Sequence, residues 1–361
     1  MSAAHATIDL DDTEGLLDAD RDGMLRASAM AGAQVRATAA ALEEGALDSV
    51  AGGQRPRTII WVAGRGAAET AGTMLTAAIG GAAGEPIVVA AESPPWIGPL
   101  DVLVIAGDDP GDPALVTAAA TAVRRGARVV VAAPYEGPLR DATAGRTAVL
   151  APRLWVPDEF GLCRYLASGL AVLQAVDPGL TTDLAGLADE LDAEALRNSA
   201  GREVFTNPAK VLAERISASQ VVLAGDCAAT LTLARHATAV FLRLAGHPVA
   251  AAGLADALVA LRSGLTNRFG DPVDRLFQDE ELDGPSPNRV RVLALTLAAE
   301  RGVVGARVAG LDDVDVVGAE DVGETGEAGT AGVPAGPTEQ QLAVLAVRLE
   351  MAAVYLKLVG G

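Results

Sequence analysis

The chain has 361 residues; half are hydrophobic, only 3% are aromatic, and the formal net charge at pH 7 is −19. This length allows two or three domains with ample cores, and a composition rich in small aliphatic residues favours helices packed on parallel strands. The negative charge argues against nucleic acid and anionic membranes as partners, because both are bound by clustered Lys and Arg.

The first 26 residues are acidic and lack the basic-then-apolar layout of a signal peptide, so we expect residues 1–26 to be a disordered leader. Cys163 and Cys227 have no metal-ligand spacing around them, which favours free thiols in the reducing cytoplasm and no bound metal. The most apolar stretch, at the C-terminus, is interrupted by Arg348 and Glu350, so no membrane span is expected.

Residues 27–156 are predicted to form a first α/β domain. An Ala-rich helix over 27–45 is followed by buried-strand runs that alternate with helical stretches, and residues 157–205 are predicted to be linking helices. Continuous apolar runs with helices between them are typical of a parallel sheet covered on both faces. The predicted strands are 58–63, 86–91, 101–106, 127–133 and 147–151.

Residues 206–311 are predicted to form a second domain of the same kind. It begins where Thr206 or Asn207 can cap a helix with Pro208 in its first turn. The predicted strands are 220–224, 248–252 and 273–277, followed by a helix over 287–301.

The C-terminal part divides into an acidic linker and a helix. Residues 312–337 are rich in Gly, Glu, Asp, Thr and Pro and are predicted to be flexible. Residues 338–361 form a C-terminal helix that is apolar over much of its circumference, so it needs to be covered by its own chain or by a second copy. We expect a homodimer that uses this helix.

The strand–glycine–helix pattern occurs twice. Gly64 and Gly225 end the two copies at an offset of 161 residues, and Pro86 and Pro248 begin the next strands at an offset of 162. Such a repeat predicts two similar domains in tandem, each with its ligand site at the carboxyl ends of its strands.

This layout resembles the sugar-isomerase (SIS) domain proteins, specifically the bifunctional phosphoglucose/phosphomannose isomerases. The best local matches are the stretch 207–210 (Asn-Pro-Ala-Lys), the stretch Arg289 to Arg301 and the end from Leu342 to Gly361. The resemblance implies two flavodoxin-like, parallel-sheet domains with flanking helices, a dimer, and phosphosugar binding without a cofactor. It also implies aldose–ketose isomerisation of glucose or mannose 6-phosphate with fructose 6-phosphate.

The resemblance also suggests which residues bind the substrate. The turn Gly64-Arg65-Gly66 stands where the family has a Gly-rich turn carrying a Ser, and Arg65 at a helix start can contact an anion. Gly107 follows the third strand, and Lys210 begins the second domain. We therefore take Gly64, Arg65, Gly66, Gly107 and Lys210 as candidate substrate-binding residues for a hexose phosphate or related metabolite.

Two stretches depart from the family. Its phosphate loop is rich in Ser and Thr, whereas here Asp108, Asp109 and Asp112 lie around two prolines and would repel a phosphate. Its catalytic Glu and its His–Asn–Glu sequence are replaced by the stretch 252–259, in which only Asp256 can titrate. Asp256 is thus the one candidate base, with a solvated helix-start Asp as the alternative.

Three weaker signals remain. Gly64-Arg65-Gly66 could open a dinucleotide-binding turn, but Glu69 stands at the position of its third glycine. Cys227 is predicted at a helix start, where a thiol is activated, yet no His or Asn pattern accompanies it. His247 precedes its strand and His236 lies within a helix, so neither is placed for catalysis. The sequence leaves two hypotheses, a sugar-phosphate isomerase with displaced residues and a non-catalytic protein of the same fold that binds a metabolite or a partner.

Overall fold

The structure is a computed structural model that describes residues 8–263, 290–321 and 336–360. The chain divides into two compact units. The first unit comprises Ala29–Ala193, and the second comprises Met1–Ser28 together with Glu194–Gly361. No helix in the described ranges is long and apolar enough to cross a membrane.

The described helices and strands alternate along most of the chain, and two short 3₁₀ turns occur at Asp158–Phe160 and Val204–Thr206. The helices are α1 (Thr13–Ala19), α2 (Met24–Ser28), α3 (Ala31–Glu43), α4 (Ala67–Ile79), α5 (Pro113–Arg124), α6 (Gly137–Thr143), α7 (Leu162–Val176), α8 (Leu184–Arg197), α9 (Pro208–Ser217), α10 (Ala228–Ala245), α11 (Leu254–Arg262), α12 (Arg301–Val308) and α13 (Thr338–Gly360). The strands are β1 (Thr58–Ala63), β2 (Ile87–Ala90), β3 (Asp101–Ala106), β4 (Arg128–Ala132), β5 (Ala148–Val149), β6 (Gln220–Gly225), β7 (Ala250–Gly253), β8 (Val290–Leu295) and β9 (Val314–Val317).

The first unit contains a five-stranded sheet in the order β2-β1-β3-β4-β5, and all of its pairings are parallel. Every residue of β3 is buried, as expected for a central strand covered by helices on both faces. The chain leaves β1 towards one edge of the sheet and β3 towards the other. The gap between their carboxyl ends is therefore the point at which α/β sheets of this order bind ligands.

The second unit contains a four-stranded parallel sheet in the order β7-β6-β8-β9. Its first strand, β6, is flanked by β7 and β8 in the way that β1 is flanked by β2 and β3. The predicted pair of similar parallel-sheet α/β domains is confirmed, with the first strands ending next to Gly64 and at Gly225.

The helix predicted over 287–301 is wrong. Residues Val290–Leu295 form β8, and the next helix begins only at Arg301. The run from Val290 to Leu297 is short and mostly apolar, a pattern that a buried strand and a buried helix share. Contact with β6 and β9 on either side selects the strand. The strand predicted at 273–277 lies outside the described residues.

The predicted disordered leader is wrong for residues 8–26, because α1 lies within them and α2 begins there. Asp12 caps α1 by accepting a hydrogen bond from the backbone N–H of Gly15. Asp20 accepts from the N–H groups of Met24 and Leu25, and this turn starts α2. Two acidic residues of this segment, Asp12 and Asp20, therefore cap helices. The helix predicted over 27–45 is interrupted between Ser28 and Ala31.

The predicted linker over 312–337 also contains regular structure, since β9 occupies Val314–Val317. Residues 322–335 lie outside the described ranges. The terminal helix α13 begins at Thr338, and every residue from Leu342 to Leu356 is buried. It packs on α9 and α10 of its own unit. The expectation that this helix forms a dimer interface is not supported, because its own chain already covers its apolar surface.

Candidate active site at the carboxyl end of the first sheet

The crevice of the first unit lies where β1 and β3 end side by side. The backbone N–H of Gly64 donates to the carbonyl of Ala106 at 2.8 Å, which continues the strand pairing to the edge of the sheet. A Cβ on Gly64 would lie 3.7 Å from the Cα of Gly107, so two glycines line the floor of the gap. The structure thus places together two of the glycines that the sequence suggested.

The turn after β1 offers backbone donors to an anion. Gly66 has a φ of 88°, a value that favours glycine, and it precedes α4 without any side chain capping the helix. The first N–H groups of α4 therefore have no side-chain acceptor, and the exposed Arg65 stands beside them. This combination of a positive helix end and a guanidinium suits a phosphate or carboxylate.

The loop after β3 uses two of its three carboxylates to fold itself. Asp109 accepts a hydrogen bond from the N–H of Gly111 at 2.7 Å, and Asp112 caps α5 by accepting from Ala114 at 2.8 Å. Because these carboxylates are bound to backbone amides, they repel an anion less than the sequence suggests. The cap also occupies the start of α5, which leaves α4 as the helix start open to a ligand here.

Asp108, the third carboxylate, forms an ion pair with Arg164. The Nη2 of Arg164 donates to the Oδ1 of Asp108 at 2.6 Å, and the side chains of Arg164 and Asp108 are 8% and 33% exposed, respectively. The sequence predicts that this loop repels a phosphate, but the structure pairs one of its three carboxylates with a cation. Arg164 lies in the first turn of α7, 56 residues further along the chain.

Arg164 also contacts an aromatic ring. Its guanidinium lies 4.1 Å from the ring centroid of Tyr165, and burial raises the pKa of the Tyr165 hydroxyl, which keeps this residue neutral. Within the described ranges, the Nη1 of Arg164 and the hydroxyl of Tyr165 are buried without hydrogen-bond partners. Unsatisfied buried polar atoms are uncommon in native proteins.

In the second unit, the turn at the carboxyl end of the first strand is occupied by side-chain contacts. Asp226, directly after β6, forms an ion pair with Arg307, and Cys227 makes a capping box with Thr230 at the start of α10. The Sγ of Cys227 lies 3.4 Å from the Oγ1 of Thr230. These contacts occupy the turn at the carboxyl end of β6.

Asp256 lies in the first turn of α11, just beyond the carboxyl end of the edge strand β7. It is exposed, and no described side chain donates a hydrogen bond to it. A general base needs a fixed position, and here only the helix start orients the carboxylate. The position of Asp256 therefore fits a solvated carboxylate at a helix start as well as it fits a general base.

Lys210 is not available to a ligand. It is fully buried, and its Nζ donates to the carbonyls of Ala200 at 2.8 Å and Arg202 at 2.7 Å. The ammonium also faces the ring of Tyr355 at 5.5 Å, and burial lowers its pKa. Lys210 therefore anchors the segment that precedes α9, and we withdraw it from the candidate substrate-binding residues.

His236 is likewise buried. Its Nε2 lies 3.0 Å from the Oε1 of Glu350, in the interior of the second unit. His247 precedes β7 and so lies at the opposite end of the strand from the crevice, as predicted. Among the described residues, no group of three or more His, Cys, Asp or Glu side chains could hold a metal ion.

Arg164 is the residue that sequence reasoning missed. It is the only charged residue of the largely buried helix Leu162–Val176, and a lone Arg on such a helix is a signal that its charge has a buried partner. The sequence cannot name that partner, because the ion pair joins segments that only the sheet topology brings together.

Comparison with known proteins finds similarity in the fold but not in the sequence. No protein-family model matches the chain, and no curated protein matches it in sequence. Among solved structures, it resembles the C-terminal domain of glucosamine-fructose-6-phosphate aminotransferase from Francisella tularensis, with a TM-score of 0.58 and 11% identity over 93% of this chain and 95% of that one. It also resembles tagatose-6-phosphate ketose/aldose isomerase from Escherichia coli, with a TM-score of 0.56 and 14% identity over 99% and 96%.

A third similar structure is a glucose-6-phosphate isomerase like protein from Thermus thermophilus, with a TM-score of 0.52 and 19% identity over 98% of this chain and 94% of that one. The matched portions span nearly the whole of each chain. The fold of this chain is therefore that of the sugar-isomerase (SIS) domain phosphosugar isomerases.

Proposed function

We propose that the chain binds a hexose phosphate or a related sugar derivative in the crevice of the first unit, and that it has little or no isomerase activity. The ion pair between Arg164 and Asp108, beside Gly107, carries this proposal. It places donors and acceptors at the point where an α/β sheet receives its ligand. Hydroxyl groups of a sugar can donate to the carboxylate and accept from the guanidinium.

The phosphate would bind at the turn after β1. There the open N–H groups of α4 and the exposed Arg65 supply positive potential. The names of the similar structures, which include isomerases of sugar phosphates, support the same ligand class.

A low rate of isomerisation is expected because the candidate base is poorly positioned. Aldose–ketose isomerisation moves a proton between two neighbouring carbons, and a positioned base contributes about 10²–10⁴-fold to such a transfer. Asp256 is the candidate, yet it is exposed and no described side chain orients it. The expected result is an isomerase rate far below the usual enzyme range of about 1–10³ s⁻¹.

Binding is tested by isothermal titration and thermal shift with glucose 6-phosphate, fructose 6-phosphate, free glucose and inorganic phosphate. A ligand present at 100 times its Kd should stabilise the protein by about 2.7 kcal/mol. Arg65→Ala should weaken hexose phosphates and leave free glucose unchanged. Arg124→Ala serves as the control, because Arg124 is exposed at the opposite end of α5. Absence of binding for all four compounds would overturn the proposal.

Catalysis is tested with purified protein and fructose 6-phosphate, by coupling the product to detection of glucose 6-phosphate or mannose 6-phosphate. A preparation from an empty vector measures contaminating isomerase. Turnover of about 1 s⁻¹ or more that Asp256→Asn abolishes would establish the isomerase and make Asp256 its base. Activity equal to the control in both proteins would support a binding protein, including one that regulates a partner.

The resemblance also implies a homodimer in the cytoplasm, and we keep both as parts of the proposal. The terminal helix is not the expected contact surface, since α13 is buried within its own unit. Size-exclusion chromatography with multi-angle light scattering, run on the full chain at micromolar concentration, tests the assembly. A single species at the monomer mass of 36.5 kDa would contradict the proposed homodimer.

A further inference from the structure

The second unit has a large groove between α9 and the strand β9. Its volume is about 540 Å³, within the range of ligand-binding clefts in proteins. Most of the lining is apolar: Val204, Phe205, Pro208, Val211, Leu212, Val316 and Val317. The charged side chains that complete it are Glu214, Arg215, Asp321 and Arg348. The groove can therefore bury apolar side chains of a ligand.

The strand beside the groove is paired on one side only in the part of the chain that the structure describes. In the first sheet, β4 has the place that β9 has in the second, and β5 pairs with it in parallel. The described part of the second sheet ends at β9, without a counterpart of β5. The groove thus lies along the edge of the second sheet.

The backbone of Val316 faces this edge. The carbonyls of Asp313 and Val317 accept hydrogen bonds from the N–H groups of Val292 and Thr296, on the side of β8. The backbone groups of successive strand residues point alternately to the two sides, so the N–H and C=O of Val316 point away from β8. An edge of this kind pairs with an added extended segment.

The surface around β9 is acidic. Six carboxylates lie on the groove or next to the strand, and three arginines pair with some of them. The carboxylates are Glu214, Asp312, Asp313, Asp315, Glu320 and Asp321, and the arginines are Arg215, Arg291 and Arg301. Arg348 adds no free charge, because it is paired with Glu194. The excess negative charge attracts basic side chains and repels acidic ones.

We propose that this groove and the edge of β9 bind an extended segment of a partner protein that carries apolar and basic residues. The segment adds to the sheet beside β9 by hydrogen bonds to the backbone of Val316. Its apolar side chains enter the groove, and its basic side chains lie near the acidic surface. Backbone hydrogen bonds supply affinity in this mode of binding, and the side chains supply selectivity.

Selection of a random peptide library, displayed on phage, against the immobilised full chain tests the predicted chemistry. The enriched peptides should combine apolar and basic residues. The most enriched peptide is then synthesised with a fluorescent label, and its Kd is measured by anisotropy for the unchanged protein and for each variant below. Enrichment of acidic peptides, or of none, overturns the proposal.

Two variants at Val316 test the added strand. Val316→Pro and Val316→Ala both lose the valine side chain, but only proline removes the N–H, and proline is tolerated where that N–H points away from the sheet. Val316→Pro should bind the peptide about tenfold more weakly than Val316→Ala, the loss expected for one hydrogen bond. Circular dichroism of both variants checks that they fold. Equal affinities of the two variants would overturn strand addition.

The groove itself is tested at Phe205, whose side chain is 58% exposed and so contributes little to the core. Phe205→Ser should weaken the peptide and leave the thermal midpoint unchanged. Leu242→Ser is the control, because Leu242 is similarly exposed in the same unit and does not line the groove. Equal losses of affinity in the two variants would contradict binding in the groove.

The charge preference is tested by Glu214→Lys, which reverses an exposed charge of the groove. It should weaken the peptide more than Glu190→Lys, which makes the same change of net charge on the exposed surface of the first unit. Equal effects would show that only the net charge matters and would contradict local recognition. The inference goes beyond the proposed function and does not depend on it. Glucose 6-phosphate binding, measured on Phe205→Ser, should be unchanged, so the two proposals can fail separately.

Discussion

Arg348 and Glu194 form a two-point ion pair in the interior of the second unit, where both side chains are almost completely buried. The Nε of Arg348 donates to one carboxylate oxygen at 2.7 Å and its Nη2 to the other at 3.2 Å. The guanidinium also donates to the carbonyls of Gly318 and Ala319. The charge that interrupts the apolar terminal helix is therefore well satisfied, and it joins α13 to α8 and to the end of β9.

Removing one partner of this pair should destabilise the second unit strongly. Arg348→Met leaves Glu194 buried with fewer donors, and breaking a buried pair costs about 3–5 kcal/mol of the free energy of unfolding. Urea unfolding followed by circular dichroism measures the loss. Arg36→Ala is the control, since its pair with Asp189 is exposed and should contribute little. A change in Arg348→Met no larger than in Arg36→Ala would contradict the assignment.

Acid should weaken the second unit through the same carboxylate. Burial by itself raises the pKa of Glu194, but the charge and hydrogen bonds of Arg348 outweigh it, so the pKa lies below its ordinary value. A lowered folded-state pKa stabilises the protein above the pKa of the unfolded chain, and that stability is lost as pH falls through the folded value. Glu194→Gln should flatten the acid side of a plot of thermal midpoint against pH. An unchanged acid slope would show that other carboxylates control it.

Glu350 should have the opposite effect on the pH dependence of stability. Its burial raises the pKa of the carboxyl, while the hydrogen bond with His236 opposes the shift only in part. A raised folded-state pKa stabilises the protein below the pKa of the unfolded chain, and this stability is lost as pH rises through the folded value. The thermal midpoint of Glu350→Gln relative to the unchanged protein should therefore increase as pH rises from about 4 towards about 8. Glu339→Gln, on the half-exposed start of the same helix, should show no such trend.

The two repeated glycines should differ in their tolerance of a methyl group. A Cβ on Gly225 would lie 2.2 Å from the backbone nitrogen of Leu231, so α10 would have to move. The nearest atom to a Cβ on Gly64 is 3.7 Å away, an ordinary contact. Gly225→Ala should cost about 1–3 kcal/mol, as overpacking does, whereas Gly64→Ala should be near neutral. Similar thermal midpoints for the two variants would refute the difference.

Prediction from the sequence succeeded where a segment's own pattern decides its structure. The strand runs ending at Gly64 and Gly225 are long, apolar and bounded by turn residues, and both strands and their parallel pairing are confirmed. It failed at Val290–Leu295, where a short apolar run fits a helix or a strand equally well. It failed also at α1 and α2, because acidic residues that cap helices have the same composition as a disordered segment.

The candidate site shows the same contrast between residues that the local sequence could place and residues that it could not. Gly64 and Gly107 could be placed from the sequence because each follows a predicted strand, and parallel strands end at one edge of the sheet. Lys210 was misjudged because the sequence cannot show that two carbonyls and an aromatic ring enclose its ammonium. Arg164 was missed because its partner, Asp108, lies 56 residues away on another element.

The sequence by itself determined the α/β class, the internal repeat and the parallel pairing of the strands, because periodicity and turn residues act within a few residues of the chain. Only the tertiary structure decided which buried polar and charged side chains pair with each other. Arg164 pairs with Asp108, Arg348 with Glu194 and His236 with Glu350, across separations of 56, 154 and 114 residues. The strength of such pairs depends on distance and burial after the elements have packed, and neither quantity can be read from the local sequence.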